Sequence, residues 1–162
     1  SALPLVEKYE NLLVVQTFSK SRSMAGSRIG FAFGSKKLIK YLMDVKYSFN
    51  SYTMDQITIE LGAAALADKA YFEETCSKIV ETREWSKEQF IKLGFKFADS
   101  KSNFVFVTHE TKAAKDIFEA LKKQGIFVRY FNRPRIDNYL RITIGTRQEM
   151  EALFAFLKEY LG

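Results

Sequence analysis

The sequence holds one cysteine, Cys76, one histidine, His109, and two prolines, Pro4 and Pro134. A lone thiol cannot close an internal disulfide, and one imidazole cannot build a multi-histidine zinc site, so disulfide scaffolds and zinc-only chemistry are excluded. Uninterrupted apolar runs, such as Leu12 to Val15, are short and fall far below the roughly 20 residues that cross a bilayer. The start, Ser1-Ala2-Leu3-Pro4, lacks the basic segment and long apolar stretch of a secretory signal. Together these absences predict a soluble, intracellular protein with no membrane partner. Disorder is excluded as the main state, because 47% of the 162 residues are hydrophobic and a folded chain of this size buries roughly 70% of its unfolded surface.

The 25 Lys and Arg residues against 19 Asp and Glu give a net charge of +6, which suits phosphate or carboxylate partners without requiring nucleic acid. A basic, non-enzymatic module binding anions or RNA is the competing class. Against it, no RNP motif, glycine-rich KH loop or helix-turn-helix spacing occurs, and the aromatics fall at core periodicities, so nucleic acid is not the expected partner.

More than a hundred residues between the two prolines carry no proline break, which leaves room for long regular elements. Asn11 to Phe18 is rich in apolar and β-branched residues and predicts a strand buried on both faces. A small, polar, basic segment follows from Ser19 to Arg28, and Ile29 to Phe33 predicts a second strand. Ser35 is placed to cap a helix running through Val45. From Thr53 to Leu93 apolar residues recur at three- and four-residue spacings, predicting one helix or two nearly continuous ones of about 40 residues, closed by Gly94 in the left-handed conformation. Such a helix more often bridges domains than sits inside one. Strands are predicted next at Phe95 to Phe97, Phe104 to Val107, Ile126 to Tyr130 and Tyr139 to Ile144, with helices at Lys112 to Lys123 and Arg147 to Leu161. This last part reads as a small α+β layer.

The chemistry concentrates in Thr17-Phe18-Ser19-Lys20-Ser21-Arg22-Ser23-Met24-Ala25-Gly26 and the following Ser27-Arg28-Ile29-Gly30. A lysine just past a buried strand can be partly desolvated, which favours the neutral, nucleophilic amine that Schiff-base chemistry needs. Thr17 and Ser19 offer hydroxyls and Arg28 a planar fork, so the same loop could hold a phosphate near Lys20. On composition alone the segment reads more readily as a solvated basic loop than as a cofactor site.

Thr17 through Gly26, with Arg28 eight residues after the lysine, resembles the pyridoxal-phosphate attachment site of the fold type I aminotransferases, and the rest of the chain resembles their class II, histidinol-phosphate branch. The resemblance implies an α/β chain that forms the C-terminal part of the fold type I transferase fold. Residues 1–52 would be a remnant of the cofactor-binding large domain, 53–93 a long interdomain helix, and 94–162 the small C-terminal α+β domain. It implies pyridoxal phosphate held through Lys20 as the catalytic residue, with Thr17, Ser19 and Arg28 also at the cofactor. Phe49-Asn50 resembles the aromatic-asparagine pair near cofactor and substrate, although Ser48 stands where a proline is common. Asn138 to Arg147 resembles the strand whose arginine, here Arg141, clamps the substrate α-carboxylate, and Gly125 to Arg129 the strand whose arginine, here Arg129, meets the distal anion, a phosphate in histidinol phosphate.

The implied activity is ping-pong transfer of an amino group between glutamate or 2-oxoglutarate and an amino substrate, by a cytoplasmic homodimer. The alternative within the class is an aromatic or other class II aminotransferase. The resemblance covers essentially all 162 residues, about half the family's length, so the chain reads as truncated. In the family, the aspartate that pairs with the pyridinium nitrogen stands farther before the lysine than this chain reaches, and no Asp occurs between Ser1 and Ser19. The chain alone is therefore expected to be inactive. Arg133 and Arg135 read as solvated, His109 as a helix-entry or surface residue, and Cys76, Trp85 and the phenylalanines as core.

Overall fold

Two short strands open the computed structural model, which describes residues 1–162. Val14–Thr17 (β1) and Gly30–Phe33 (β2) pair antiparallel, from Val14 opposite Phe33 to Thr17 opposite Gly30. Three of the four β1 residues are exposed, which corrects the expectation of a strand buried on both faces. Its only partner is β2, and a two-stranded ribbon supplies no sheet to be buried in.

Ser35 caps Lys36–Phe49 (α1), its Oγ accepting from the Leu38 N–H at 3.3 Å. This helix runs on to Phe49 rather than stopping at Val45. The long helical stretch resolves into Gln56–Ala67 (α2) and Lys69–Lys92 (α3). Asp68 makes the break: its N–H closes the last turn of α2 on Ala64, while its carboxylate accepts from the Tyr71 N–H at 3.1 Å in the first turn of α3. Asp55 caps α2 through Thr58, and those bonds hold its carboxyl below the usual carboxylate range. Helix α2 is apolar around most of its circumference yet buries only Gly62, a pattern of a helix whose sequence expects cover on all sides.

The chain divides into two compact units, Ser1–Glu73 and Glu74–Gly162. The second is a four-stranded antiparallel sheet in the order β3-β4-β6-β5, built from Phe95–Phe97 (β3), Phe104–His109 (β4), Arg129–Tyr130 (β5) and Leu140–Thr143 (β6). Helices Ala114–Lys123 (α4) and Arg147–Leu161 (α5) and the C-terminal part of α3 cover one face. Val105, Val107, Leu140 and Ile142 point into that face and meet Phe90, Ile117, Leu121, Leu153 and Leu157. The strand expected over Ile126 to Tyr130 is shorter, since only Arg129 and Tyr130 pair with β6. Gly94 (φ 77°) and Gly125 (φ 73°) stop α3 and α4 in the left-handed region that favours glycine.

Two buried cations brace α3 against the loop after β3. Lys87 bonds Asp99 at 2.6 Å and Glu84 at 3.0 Å, and Arg83 bonds Glu84 at 2.7 Å and the Ser102 carbonyl at 3.1 Å. Burial alone would lower the Lys87 pKa, but its bonds to Asp99 and Glu84 outweigh that and hold it above the usual lysine value. No helix is long and apolar enough to cross a membrane.

Candidate functional site

In the first unit the lysine segment forms a closed loop at the end of the β1–β2 ribbon. Phe18 is buried, its N–H donates to the Ile29 carbonyl, and its carbonyl accepts from the Met24 N–H. A tight turn joins Lys20 to Ser23, whose φ is 55°. Arg28, also left-handed at φ 54°, folds its Nη1 back onto the Ala25 carbonyl at 2.8 Å. Thr17, at the end of β1, and Ser19, Lys20 and Arg28, on the loop that follows, thus stand on one short, internally bonded segment, all at least partly exposed. The side chains of Thr17, Ser19 and Lys20 make no hydrogen bond or ion pair within the chain. Lys20 is exposed, so the desolvation expected from its position after the strand is not provided by the residues around it.

A residue to which the sequence reading assigned no role anchors this loop. The Arg22 guanidinium donates to the Ala65 carbonyl in the last turn of α2 and lies 4.2 Å from the Phe72 ring and 5.6 Å from the Phe18 ring. A main-chain carbonyl at a helix end and two aromatic faces suit a guanidinium that has no carboxylate to pair with. Asn50 serves as the C-cap of α1, its N–H bonded to the Lys46 carbonyl at 2.8 Å and its side chain exposed. No hydrogen bond joins Asn50 to the lysine loop.

In the second unit the structure brings Arg129 and Arg141 together. They are direct cross-strand partners on β5 and β6, and Phe106 of β4 lies opposite Arg141 in the same row. Both arginines are exposed on the face turned away from the helices, and neither has a carboxylate partner. Four aromatic residues accompany them. Arg141 lies over Phe104 at 5.5 Å and Arg129 over Phe131 at 5.4 Å, while Phe106 stacks on Tyr139 at 4.7 Å and meets Phe131 edge-on at 6.1 Å. Reading these phenylalanines as core is thereby corrected. The alternation Phe104-Val105-Phe106-Val107 sends the valines inward and the phenylalanines outward, a period-2 signal that composition alone hides.

Asn138, three residues before Arg141, fixes the entry to β6. Its Oδ1 accepts from the Ala114 N–H at 3.0 Å and its Nδ2 donates to Thr108 Oγ1 at 3.1 Å. Arg133 and Arg135 are exposed, as expected. His109 ends β4 rather than entering a helix: its Nε2 is 2.9 Å from the Leu93 carbonyl, and its Nδ1 accepts from the Lys112 N–H at 3.0 Å. Cys76 is half-buried. Trp85 packs edge-on against Phe154 at 5.3 Å, with the Arg147 guanidinium 3.7 Å above its ring.

Residues 1–157 match the family described as aminotransferase class I and II. The chain belongs to that family. It is 53% identical over 161 residues to a histidinol-phosphate aminotransferase of Lactococcus lactis subsp. lactis, an alignment that takes in 99% of this chain and 45% of the relative. The chain spans about half the length of the curated relatives it matches. Among solved structures, the histidinol-phosphate aminotransferase of Sinorhizobium meliloti in complex with pyridoxal-5'-phosphate aligns with a TM-score of 0.81 and 29% identity, over 94% of this chain and 41% of that one. The histidinol-phosphate aminotransferase of Clostridium acetobutylicum shares the fold with a TM-score of 0.89 at 22% identity, over 99% of this chain and 49% of that one. The chain therefore carries part of the aminotransferase fold type I, in agreement with the α/β expectation from its sequence.

Proposed function

We propose that these residues belong to a pyridoxal-phosphate-dependent aminotransferase that exchanges an amino group between glutamate or 2-oxoglutarate and histidinol phosphate. The observation that carries the reading is the 53% identity across nearly the whole chain to a histidinol-phosphate aminotransferase. The donor set of the lysine loop fits the cofactor. A free amine, two unbonded hydroxyls and a guanidinium with further N–H groups to give stand on one segment, matching an aldehyde that also bears a phosphate.

In this reading Lys20 holds the cofactor through its amine, and Thr17, Ser19 and Arg28 hold its phosphate end. When bound, pyridoxal phosphate supplies the electron sink for the pair left at the substrate α-carbon. Once the amino group of the substrate has displaced Lys20 from the cofactor, the freed Nζ would remove the α-carbon proton as general base and return a proton as general acid. Arg141 binds the α-carboxylate of glutamate and Arg129 the distal anion, the phosphate in the case of histidinol phosphate, each as a planar two-pronged donor. Asn50 is assigned to the cofactor and substrate side. Residues 1–52 serve the cofactor, 53–93 bridge, and 94–162 carry the substrate arginines. The whole enzyme acts as a homodimer in the cytoplasm.

The experiment is a spectroscopic titration of the 162-residue chain with pyridoxal phosphate beside Lys20→Ala. A visible imine band in the parent that is absent from the variant supports the reading. Equal bands in the two chains would remove Lys20 from its role.

A further inference from the structure

The cross-strand register sets two arginines side by side, and like charges placed directly opposite are destabilising. The guanidiniums lean in opposite directions. Arg141 inclines toward Phe104, whose strand partner is Thr143, two residues after Arg141. Arg129 inclines toward Phe131, two residues along its own chain, beside the Phe106–Tyr139 stack. Each cation is drawn onto a separate aromatic face, and the two faces lie on opposite sides of the row that the arginines share.

We propose that Phe104 and Phe131 are positioning residues, which hold the guanidiniums of Arg141 and Arg129 apart and oriented before any ligand arrives, so that this face of the sheet presents two separated anion sites rather than one. Two separately ordered guanidiniums let a ligand with two anionic groups, such as a dicarboxylate, engage both, while a ligand with one engages either. Orientation by the rings replaces orientation by a carboxylate. That leaves every donor of the guanidinium edge for the ligand, and a neighbouring carboxylate would instead compete with it. Recognition of the substrate by these arginines rests on the function proposed above. Their ordering by the rings does not.

The test is arginine side-chain NMR on the 162-residue chain, followed by titration with 2-oxoglutarate and, separately, acetate. In the free chain the Nε–H groups of Arg129 and Arg141 give order parameters above the roughly 0.6 that marks flexible groups. Phe104→Leu lowers the order of Arg141 alone, Phe131→Leu that of Arg129 alone, and the Tyr variants restore it. Both phenylalanines are only half-buried on the outer face, and unchanged backbone amide spectra confirm the fold. Each Leu variant weakens 2-oxoglutarate by about two- to fivefold, the size of an exposed cation–π contact, and leaves acetate unchanged. Mobile guanidiniums in the parent, or Leu variants with undiminished order, overturn the proposal whatever the ligand does. Ordered guanidiniums with no 2-oxoglutarate binding would leave the positioning role standing and count against the substrate reading.

Discussion

Replacing Asn138 by alanine should destabilise the second unit by about 2 kcal/mol, a figure that follows from the loss of two hydrogen bonds, one of them to a buried donor. Ala113, at the N-cap of α4, contributes no side-chain bond, so the first-turn N–H of Ala114 depends on Asn138 Oδ1 at 3.0 Å. Ala114 is 1% exposed, water has little room to replace that acceptor, and an orphaned buried donor costs about 1–3 kcal/mol. The second bond, to Thr108 Oγ1, lies where water can substitute and contributes about 0.5 kcal/mol. Asn138→Asp keeps the acceptor, lets the Thr108 hydroxyl turn to donate, and sets a negative charge at a helix N-terminus, so it should stay within about 0.5 kcal/mol of the parent. The sole tryptophan, Trp85, packs against Phe154 in this unit, so urea unfolding followed by its fluorescence reads the change directly. An alanine variant as stable as the parent, or an aspartate variant as weak as alanine, would refute the reasoning.

Arg22→Leu should free the lysine loop, because it removes a bond to the Ala65 carbonyl and two aromatic contacts. Exchange of the Ser23 and Met24 amides, bonded to the Lys20 and Phe18 carbonyls, should then rise about tenfold, and unchanged exchange would show that Arg22 holds nothing. The Lys87 cluster predicts a pH dependence. Bonds from Lys87 and Lys101 hold Asp99, and bonds from Arg83 and Lys87 hold Glu84, below their ordinary values, so their contribution is present above about pH 4 and lost as pH falls through the lowered values. Lys87 is held above its ordinary value, so its contribution is complete at neutral pH and lost only as pH rises through that raised value. Urea midpoints should therefore be flat through neutrality and fall on both limbs. Lys87→Met should make the acid limb shallower, and parent and variant limbs of equal slope would contradict this account.

The elements most legible in the sequence were those whose cause is local. The amphipathic closing helix Arg147–Leu161, with its Thr146–Glu149 capping box, and the α4 stop at Gly125 need only a few neighbouring residues to specify them. What was not legible depends on distant partners. β1 reads as a buried strand because Leu12 to Val15 is apolar, yet burial is a property of what lies across it, and here that is a single strand. Arg129 and Arg141 stand out by resemblance, but their pairing follows from the β5–β6 register, which their separation along the chain does not fix. Arg22 carried no signal beyond its charge, since its partners Ala65 and Phe72 are far along the chain.

Lys20 is proposed to be the amine that holds pyridoxal phosphate in the enzyme to which these residues belong. The most direct measurement is to add pyridoxal phosphate to the 162-residue chain, reduce with borohydride and locate the pyridoxyl group by peptide mass. The account predicts a single adduct, on Lys20. Label spread over the exposed lysines, or none on the Lys20 peptide, would contradict it.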